Sequence, residues 1–333
     1  GTGSMTQRAS LNLPAYGLGA AGLGNLYTAI SDEEAQATLE AAIEMNLTLF
    51  DTAPYYGHGL SEQRIGTYLA SSEFQPVIST KVGRRLEPAG PADIPDNGFE
   101  SPAPFIPTFD YSAEGIREAF AGSQQRLGVE AVDILLLHDI GEMVHGAEHE
   151  AILAQSLTEA LPEMAAMKAE AKTKWIGLGV NEIDVCRQVL DHVDLDVLLI
   201  AGRYTLLEHA DSLSFLDECH REGVKVIIGG AFNSGLLAST GEEPLHYDYV
   251  QAPQWAVERT GQLRAVCETF NTPLPAVALQ FCSSHPAVAC VIPGAKSAAQ
   301  VRQIADWTQM EIDPRLWDAL KDRDLISRDV PVC

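Results

Sequence analysis

The sequence is poor in positive charge. Its 333 residues include 22 Lys and Arg against 46 Asp and Glu, a formal net charge of −24 with a pI near 4.6. A surface of this charge repels nucleic acids and anionic membranes, so neither is an expected partner. No apolar run is long enough to cross a bilayer, and no basic segment followed by an apolar core indicates a signal peptide. We therefore expect a cytoplasmic protein.

Metal-binding and thiol-redox patterns are also lacking. The six cysteines form no C-x-x-C pair, and most lie in apolar helical or strand-like segments, which is typical of reduced, buried thiols. His145 and His149 have the H-x-x-x-H spacing that would place both imidazoles on one helix face. Gly146 and the polar flanks instead predict a loop from Asp139 to Glu150. We expect no metal site.

Three apolar, strand-like runs each end in a polar residue: Asp51, Lys81 and His138. A tyrosine, Tyr56, follows the first of them in a loop that begins at Pro54, because proline cannot donate to a strand ladder. In a parallel barrel the carboxyl ends of the strands converge on one face, where the active site lies. These four polar residues are therefore our candidate catalytic group.

Apolar runs and segments of helical periodicity alternate along the chain, which favours a parallel sheet with helices outside. Eight such units fit a closed (β/α)8 TIM barrel better than two doubly wound domains. No linker or low-complexity segment interrupts them, so we expect one domain over residues 11–333. Residues 1–4, before Met5, have the character of an expression-tag remnant. The segment 83–110 contains six prolines and predicts a long loop that forms a wall of the substrate pocket.

Residues 17–22 spell G-x-G-x-x-G, the formal pattern of a dinucleotide-binding turn. That turn opens a helix directly, whereas the next helical pattern here begins at Ser31, which with Glu34 predicts a capping box. We interpret the glycines as the first barrel strand and its exit loop on the substrate side. A two-domain Rossmann dehydrogenase is the alternative.

The four polar residues, in their order and context, resemble the catalytic tetrad of the aldo-keto reductase superfamily, and the resemblance extends from about residue 11 onward. It implies hydride transfer between a substrate carbon and NAD or NADP. Tyr56 would be the general acid/base, and the positive charge of Lys81 would favour its phenolate. Asp51 would hold Lys81 in place, and His138 would position the substrate oxygen. The alternative is an ordinary ion pair between Asp51 and Lys81 with two packed polar neighbours.

Three segments resemble the cofactor-binding parts of the superfamily. One follows a strand near residue 181 and resembles the site of the nicotinamide carboxamide. A second, residues 231–235, resembles the segment that stacks on the nicotinamide and wraps the pyrophosphate. A third, residues 292–297, resembles the adenosine-phosphate loop, where the start of a helix offers N–H groups to phosphate. The residues implied are Asn181, Phe232 (the stacking ring), Asn233, Ser234, Gly235, Gly294, Lys296, Ser297, Gln300 and Gln303. Because Lys296 is either a 2′-phosphate ligand or a solvated lysine, NAD and NADP both stay open.

The chain departs from the usual superfamily pattern at Val180, Ile304 and residues 201–207. Residues 201–207, residues 232–237 and the proline-rich segment resemble one branch, the D-threo-aldose 1-dehydrogenases or L-fucose dehydrogenases, with pyridoxal 4-dehydrogenase as a close relative. The branch implies oxidation of an aldose at C1 to its lactone, with Tyr56 as the base. A general aldehyde or ketone reductase, a pyridoxal 4-dehydrogenase and a non-catalytic cofactor-sensing subunit are the alternatives. The oligomeric state stays open.

Overall fold

The computed structural model of the chain describes residues 11–239, 246–248 and 250–332. The predicted tag remnant at residues 1–4 and Cys333 lie outside the described residues. The strands of the described residues are β1 (Leu18–Gly19), β2 (Leu49–Asp51), β3 (Val77–Val82), β4 (Arg84–Pro88), β5 (Phe105–Phe109), β6 (Val132–His138), β7 (Thr173–Val180), β8 (Val197–Ala201), β9 (Lys225–Gly229), β10 (His246–Tyr247), β11 (Val250–Gln251) and β12 (Val288–Val291).

Helices follow most of the strands. The α-helices are α1 (Asp32–Glu44), α2 (Leu60–Ser71), α3 (Ala113–Leu127), α4 (Glu142–His145), α5 (His149–Gln155), α6 (Leu161–Ala169), α7 (Ile183–Leu190), α8 (Ala210–Glu222), α9 (Gln254–Thr269), α10 (Leu274–Ser283), α11 (Ala298–Gln309) and α12 (Pro314–Asp322). A π-helical turn (Ser156–Ala160) joins α5 to α6.

Eight of the strands form one parallel sheet in the order β1-β2-β3-β6-β7-β8-β9-β12. Parallel bridges from Tyr16 to Val291 and from Gly19 to Gly294 join the first strand to the last, so the sheet closes into a barrel. We call this junction the seam. The closed sheet confirms the predicted (β/α)8 fold and excludes the two-domain Rossmann alternative.

The barrel strands are apolar on both faces because both faces are buried. On β6, Ile134 and Leu136 point into a small core inside the barrel, together with Val197 and Ile227 of facing strands. Their neighbour Leu135 points outward into the larger core between strands and helices. This alternation follows from the two-residue period of a β-strand. The polar groups of the site lie at the carboxyl ends of the strands, beyond these apolar positions.

Two predictions about loops are wrong. The segment 83–110 is not a structureless loop, because β4 and β5 pair antiparallel within it, from Arg84 opposite Phe109 to Pro88 opposite Phe105. Prolines are tolerated in such a two-stranded ribbon because the missing N–H can face outward at an edge. The segment 139–150 contains the short helix α4 and the start of α5. Gly146, with a φ of 55°, ends α4 instead of preventing it.

The start of α1 follows the prediction in part. The backbone N–H of Glu34 donates to the Ser31 side-chain oxygen at 3.0 Å, as a cap requires. The Glu34 carboxylate accepts from the Ser31 hydroxyl, at 3.3 Å, and does not reach the cap backbone. In the described parts of the chain no helix is long and apolar enough to cross a membrane. No group of three or more His, Cys, Asp or Glu is placed there to hold a metal ion.

Candidate active site

A buried ion pair lies at the base of the site. Asp51 is the last residue of β2, and Lys81 lies near the end of the neighbouring strand β3. Lys81 Nζ donates to Asp51 Oδ1 and Oδ2 at 3.0 and 2.8 Å, and to the Thr52 carbonyl at 2.8 Å. The Ser79 hydroxyl donates to Asp51 Oδ1 at 2.9 Å. Burial raises the pKa of Asp51, while the charge and hydrogen bonds of Lys81 act in the opposite direction.

Tyr56 lies directly beside this pair. The ring centroid of the half-buried tyrosine is 4.8 Å from Lys81 Nζ. Its loop packs backbone to backbone on the loop that follows β1: a Cβ added to Gly24 would lie 2.5 Å from the Tyr56 carbonyl carbon. Gly57, with a φ of 68°, makes the reciprocal approach to the Gly24 carbonyl. Because Gly24 and Gly57 have no side chains, the two loops pack closely, and this contact fixes the position of Tyr56.

His138 ends β6 on the other side of Tyr56, with a ring-centroid separation of 6.2 Å. Arg84 Nη1 lies 3.1 Å from its Nδ1, and Asp139 Oδ2 lies 3.4 Å from its Nε2. Burial lowers the pKa of His138 to about 3, with Asp139 raising it and Arg84 and Lys81 lowering it. The imidazole is therefore neutral at ordinary pH.

Tyr56, Lys81 and His138 line a cavity of 690 Å³, which we call the aromatic cavity. Besides Tyr56 and His138, four more residues with aromatic rings line it: Tyr27, Tyr55, Phe99 and Phe109. Much of one wall comes from the proline-rich segment, which confirms that residues 83–110 wall the cavity beside the tetrad. The members of this wall are Arg84, Pro95, Asn97, Gly98, Phe99, Pro107 and Phe109.

A second cavity of 360 Å³ adjoins the first, and we call it the glycine-lined cleft. Tyr56 lines both. Most of the predicted cofactor residues line this cleft: Asn181, Phe232, Asn233, Ser234, Gly235, Gly294, Lys296 and Gln300. Two predicted residues are not part of its lining. The Ser297 hydroxyl accepts from the Gln300 N–H and caps α11, and Gln303 is exposed on the same helix.

The glycine run, residues 17–22, contains β1 and the start of its exit loop, as predicted, but it faces a different cavity. Gly19 and Gly22 line the glycine-lined cleft and not the aromatic cavity, while Ala21 lines both. The prediction that these glycines face the substrate side is therefore wrong. A Cβ on Gly22 would lie 3.3 Å from the Ala295 carbonyl oxygen, so the absent side chain brings the β1 loop close to the loop before α11.

The residues of the cleft fit a nucleotide. Asn233, Ser234 and Gly235 have consecutive positive φ values of 50°, 60° and 90°, and the Asn233 N–H donates to the Gly230 carbonyl at 3.0 Å within this tight turn. The Asn233 side chain is buried, and neither its Nδ2 nor its Oδ1 has a partner among the described residues. Buried amide groups normally find partners, so a polar ligand fits here. The ring of Phe232 packs edge-on against Trp307 of α11, with the centroids 5.9 Å apart.

Besides Asp51, two charged residues line the cleft, Lys296 and Asp248. Lys296 donates to the Leu26 carbonyl and the Thr28 hydroxyl, and burial lowers the pKa of its ammonium group. Asp248 lines the cleft and receives Arg203 through two hydrogen bonds, Nη1 to Oδ1 at 3.1 Å and Nη2 to Oδ2 at 3.2 Å. The tetrad and most of the predicted cofactor residues thus meet around two adjoining cavities.

Sequence reasoning missed Arg84 and Asp139, which surround His138. It also missed Thr52 and Ser79, which contact Lys81 and Asp51. Their position near strand ends could have indicated them. Thr52 directly follows Asp51, and Ser79 lies two residues before Lys81. Nothing in the pair Arg84 and Arg85 indicates which arginine turns inward, because that depends on the unpredicted β4–β5 hairpin.

The chain is similar to known proteins over nearly its whole length. The model of the Aldo/keto reductase family matches residues 15–324. Pyridoxal 4-dehydrogenase from Microbacterium luteolum is 38% identical over 333 residues, covering 96% of each chain. D-threo-aldose 1-dehydrogenase from a Pseudomonas species is 39% identical over 327 residues, also covering 96% of each. The holo form of an aldo-keto reductase from Bacillus halodurans superposes with a TM-score of 0.74 at 22% identity, covering 96% of this chain and 94% of that one.

Proposed function

Because the chain belongs to the aldo/keto reductase family, it is an NAD(P)-dependent oxidoreductase, and we propose that it oxidises an aldose of the L-fucose or D-threo type at C1 to its lactone. The observation that carries the proposal is the position of Tyr56, which faces both the glycine-lined cleft and the aromatic cavity. A hydroxyl at that boundary can exchange a proton with a substrate in one cavity while a cofactor lies in the other.

In this reaction the side chains of the protein transfer a proton and align the substrate with the cofactor. When bound, NAD(P)⁺ supplies the hydride acceptor. The phenolate form of Tyr56 takes the proton from the C1 hydroxyl as the C1 hydrogen leaves as hydride, so the sugar loses one hydride and one proton. Lys81, 4.8 Å from the ring centroid, favours the phenolate by its charge. Asp51 holds that ammonium group through two hydrogen bonds.

Both named relatives support a small ring-shaped substrate. The four rings of the aromatic cavity offer flat apolar surfaces, while Asn97, Arg84 and Asp139 supply polar groups at its wall. Pockets of this composition use the apolar surface for affinity and the few polar groups for orientation. A pyranose has C–H faces for the rings and hydroxyls for the polar groups. The pyridine ring of pyridoxal fits the same rings by stacking, so pyridoxal 4-dehydrogenase activity is the second candidate, supported by the 38% identical relative.

The test is the absorbance of reduced nicotinamide after mixing the protein with NAD⁺ or NADP⁺ and one compound at a time. The panel holds L-fucose, D-arabinose, L-galactose, pyridoxal and simple alcohols. Tyr56→Phe is measured alongside a matched control, Tyr68→Phe. Tyr68 lies on α2, and its hydroxyl accepts from Ser72.

We expect one class of sugar to be oxidised, with a loss of ~10²–10⁴-fold in Tyr56→Phe and little change in Tyr68→Phe. Oxidation of pyridoxal with no sugar activity would select the second candidate. Activity confined to aldehydes with reduced cofactor would select a general reductase. Cofactor binding with no turnover above the Tyr56→Phe background would select a cofactor-sensing subunit.

A further inference from the structure

Arg84 is an unusual neighbour for a catalytic histidine. It opens β4, directly after the strand that carries Lys81, and it is buried. Its guanidinium lies over two rings, 4.1 Å from the centroid of Tyr55 and 4.6 Å from that of Phe109. Its Nη1 also forms a 2.8 Å ion pair with Asp139 Oδ2. The group is therefore held from three sides, and a planar guanidinium in such a site has one orientation.

The hydrogen bond from this group decides where the proton of His138 lies. Arg84 Nη1 is 3.1 Å from His138 Nδ1. A guanidinium has only donors, so Nδ1 must be the acceptor in this contact. A neutral imidazole carries its single proton on one nitrogen, which places it on Nε2. His138 is neutral here because burial lowers its pKa to about 3.

Arg84 also holds Asp139, whose carboxylate would otherwise accept a hydrogen bond from His138 Nε2–H. Asp139 Oδ2 lies 3.4 Å from His138 Nε2, but only 2.8 Å from Arg84 Nη1. The shorter ion pair holds the carboxylate with the arginine, so Nε2–H stays available to a ligand in the aromatic cavity. The charged groups that face the ring are Arg84 from the hairpin, Asp139 from its own segment and Lys81 from β3, with Tyr55 and Tyr56 as its ring neighbours.

We propose that Arg84 is a positioning residue, which fixes His138 as the Nε2–H tautomer and so presents a hydrogen-bond donor to the substrate oxygen. The kinetic part of this inference rests on the proposed function, whereas the tautomer is a property of the protein without substrate. Arg85, the next residue, offers a matched control. It points to the other side of the strand, where it pairs with Glu87 and Asp110.

The first measurement is nitrogen NMR of protein labelled at its histidine side chains, without substrate. The chain has nine histidines, so the His138 signals are assigned by their loss in His138→Gln. We expect an unprotonated Nδ1 and a protonated Nε2 in the parent and in Arg85→Met. In Arg84→Met the ring should show a mixture of tautomers, and Arg84→Lys should restore the parent form because an ammonium group also only donates. A protonated Nδ1 in the parent, or unchanged signals in Arg84→Met, would overturn the proposal.

The second measurement is turnover of whichever substrate the parent enzyme accepts. In the Ser-His-Asp triad a wrong histidine tautomer costs ~10⁴-fold in kcat. Here the ring only orients the substrate, so we expect a smaller loss in Arg84→Met, about 10–100-fold in kcat/KM. Arg84→Lys should recover part of this loss, and Arg85→Met should have the kcat/KM of the parent enzyme. Equal losses in Arg84→Met and Arg85→Met would indicate a structural effect and overturn the proposal. If no sugar is oxidised, the proposed function fails, but the NMR result still decides the tautomer.

Discussion

Lys81 Nζ and Asp51 Oδ2 lie 2.8 Å apart inside the barrel mouth, with side chains only 2% and 3% exposed. Breaking a buried pair by removing one partner costs ~3–5 kcal/mol, because the other charge stays buried without compensation. We expect Lys81→Met to lower the free energy of unfolding by about this amount. Asp51→Asn combined with Lys81→Met should be less destabilised than the sum of the two single variants. Urea unfolding of the four proteins measures this coupling, and strictly additive losses would contradict it.

Gly24 controls the position of Tyr56, although it lines neither the glycine-lined cleft nor the aromatic cavity. A Cβ at residue 24 would lie 2.5 Å from the Tyr56 carbonyl carbon, so Gly24→Ala must push the tyrosine loop away. A displacement of about 1 Å in a catalytic group can cost ~10²-fold in rate. We expect Gly24→Ala to lower kcat by ~10–100-fold. Gly90→Ala is the control, since nothing lies within 4 Å of a Cβ there; equal kcat values in the two variants would contradict the prediction.

NAD⁺ should be preferred to NADP⁺. The 2′-phosphate of NADP carries about two negative charges at neutral pH. Lys296 is the one Lys or Arg among the described residues that line the glycine-lined cleft, and it already donates to Leu26 and Thr28. We expect a lower KM for NAD⁺, and Lys296→Met should raise the KM for NADP⁺ more than that for NAD⁺. Initial rates with both cofactors decide this, and a preference for NADP⁺ in the parent would show the prediction wrong.

Acid should destabilise the fold through its buried histidines. Burial lowers the pKa of His58, His138, His209 and His285. The unfolded chain binds protons at these residues below pH ~6.5, whereas folded His138 does so only near about 3. Because the unfolded state then holds more protons, stability falls as pH drops through this window, by at most about 1.4 kcal/mol per pH unit for each histidine.

The measurement is the free energy of unfolding at several pH values between about 5 and 7, where the carboxylates contribute less. His138→Gln should show a shallower dependence on pH than the parent, because one of the four groups is gone. An identical slope in the two proteins would mean that His138 is protonated in the folded state as well, against its buried, neutral environment.

The convergence of the candidate catalytic residues could be predicted because it depends on strand ends. Asp51, Lys81 and His138 each follow an apolar run, and any parallel barrel brings such positions to one face. The residues of the cleft were implied by the resemblance to the superfamily, although Asn181 and the segment after β9 also follow strands. Hydrophobic periodicity reveals where strands end, whereas it does not show which of these positions bind a cofactor.

The environment of His138 could not be predicted in this way. It requires the β4–β5 hairpin, whose prolines Pro88 and Pro107 lower its strand signal in the sequence. Without the hairpin there is no register that turns Arg84 inward and Arg85 outward. Similarly, Gly146 was interpreted as evidence for a loop, although a glycine equally ends a helix. Local sequence propensity does not distinguish a loop from a hairpin at residues 83–110 or a loop from a helix at residues 139–150, because both outcomes depend on tertiary packing.

The seam has a consequence for how the protein is made. Gly19 and Gly294 are bridging partners there, and both line the glycine-lined cleft. One part of the proposed cofactor site therefore belongs to the first strand of the barrel, and another part belongs to the loop after the last strand. Until β12 has been synthesised and docked, the nascent chain has no complete binding surface for a nucleotide. Once bound there, a cofactor would join the two ends of the barrel and reinforce its closure by mass action.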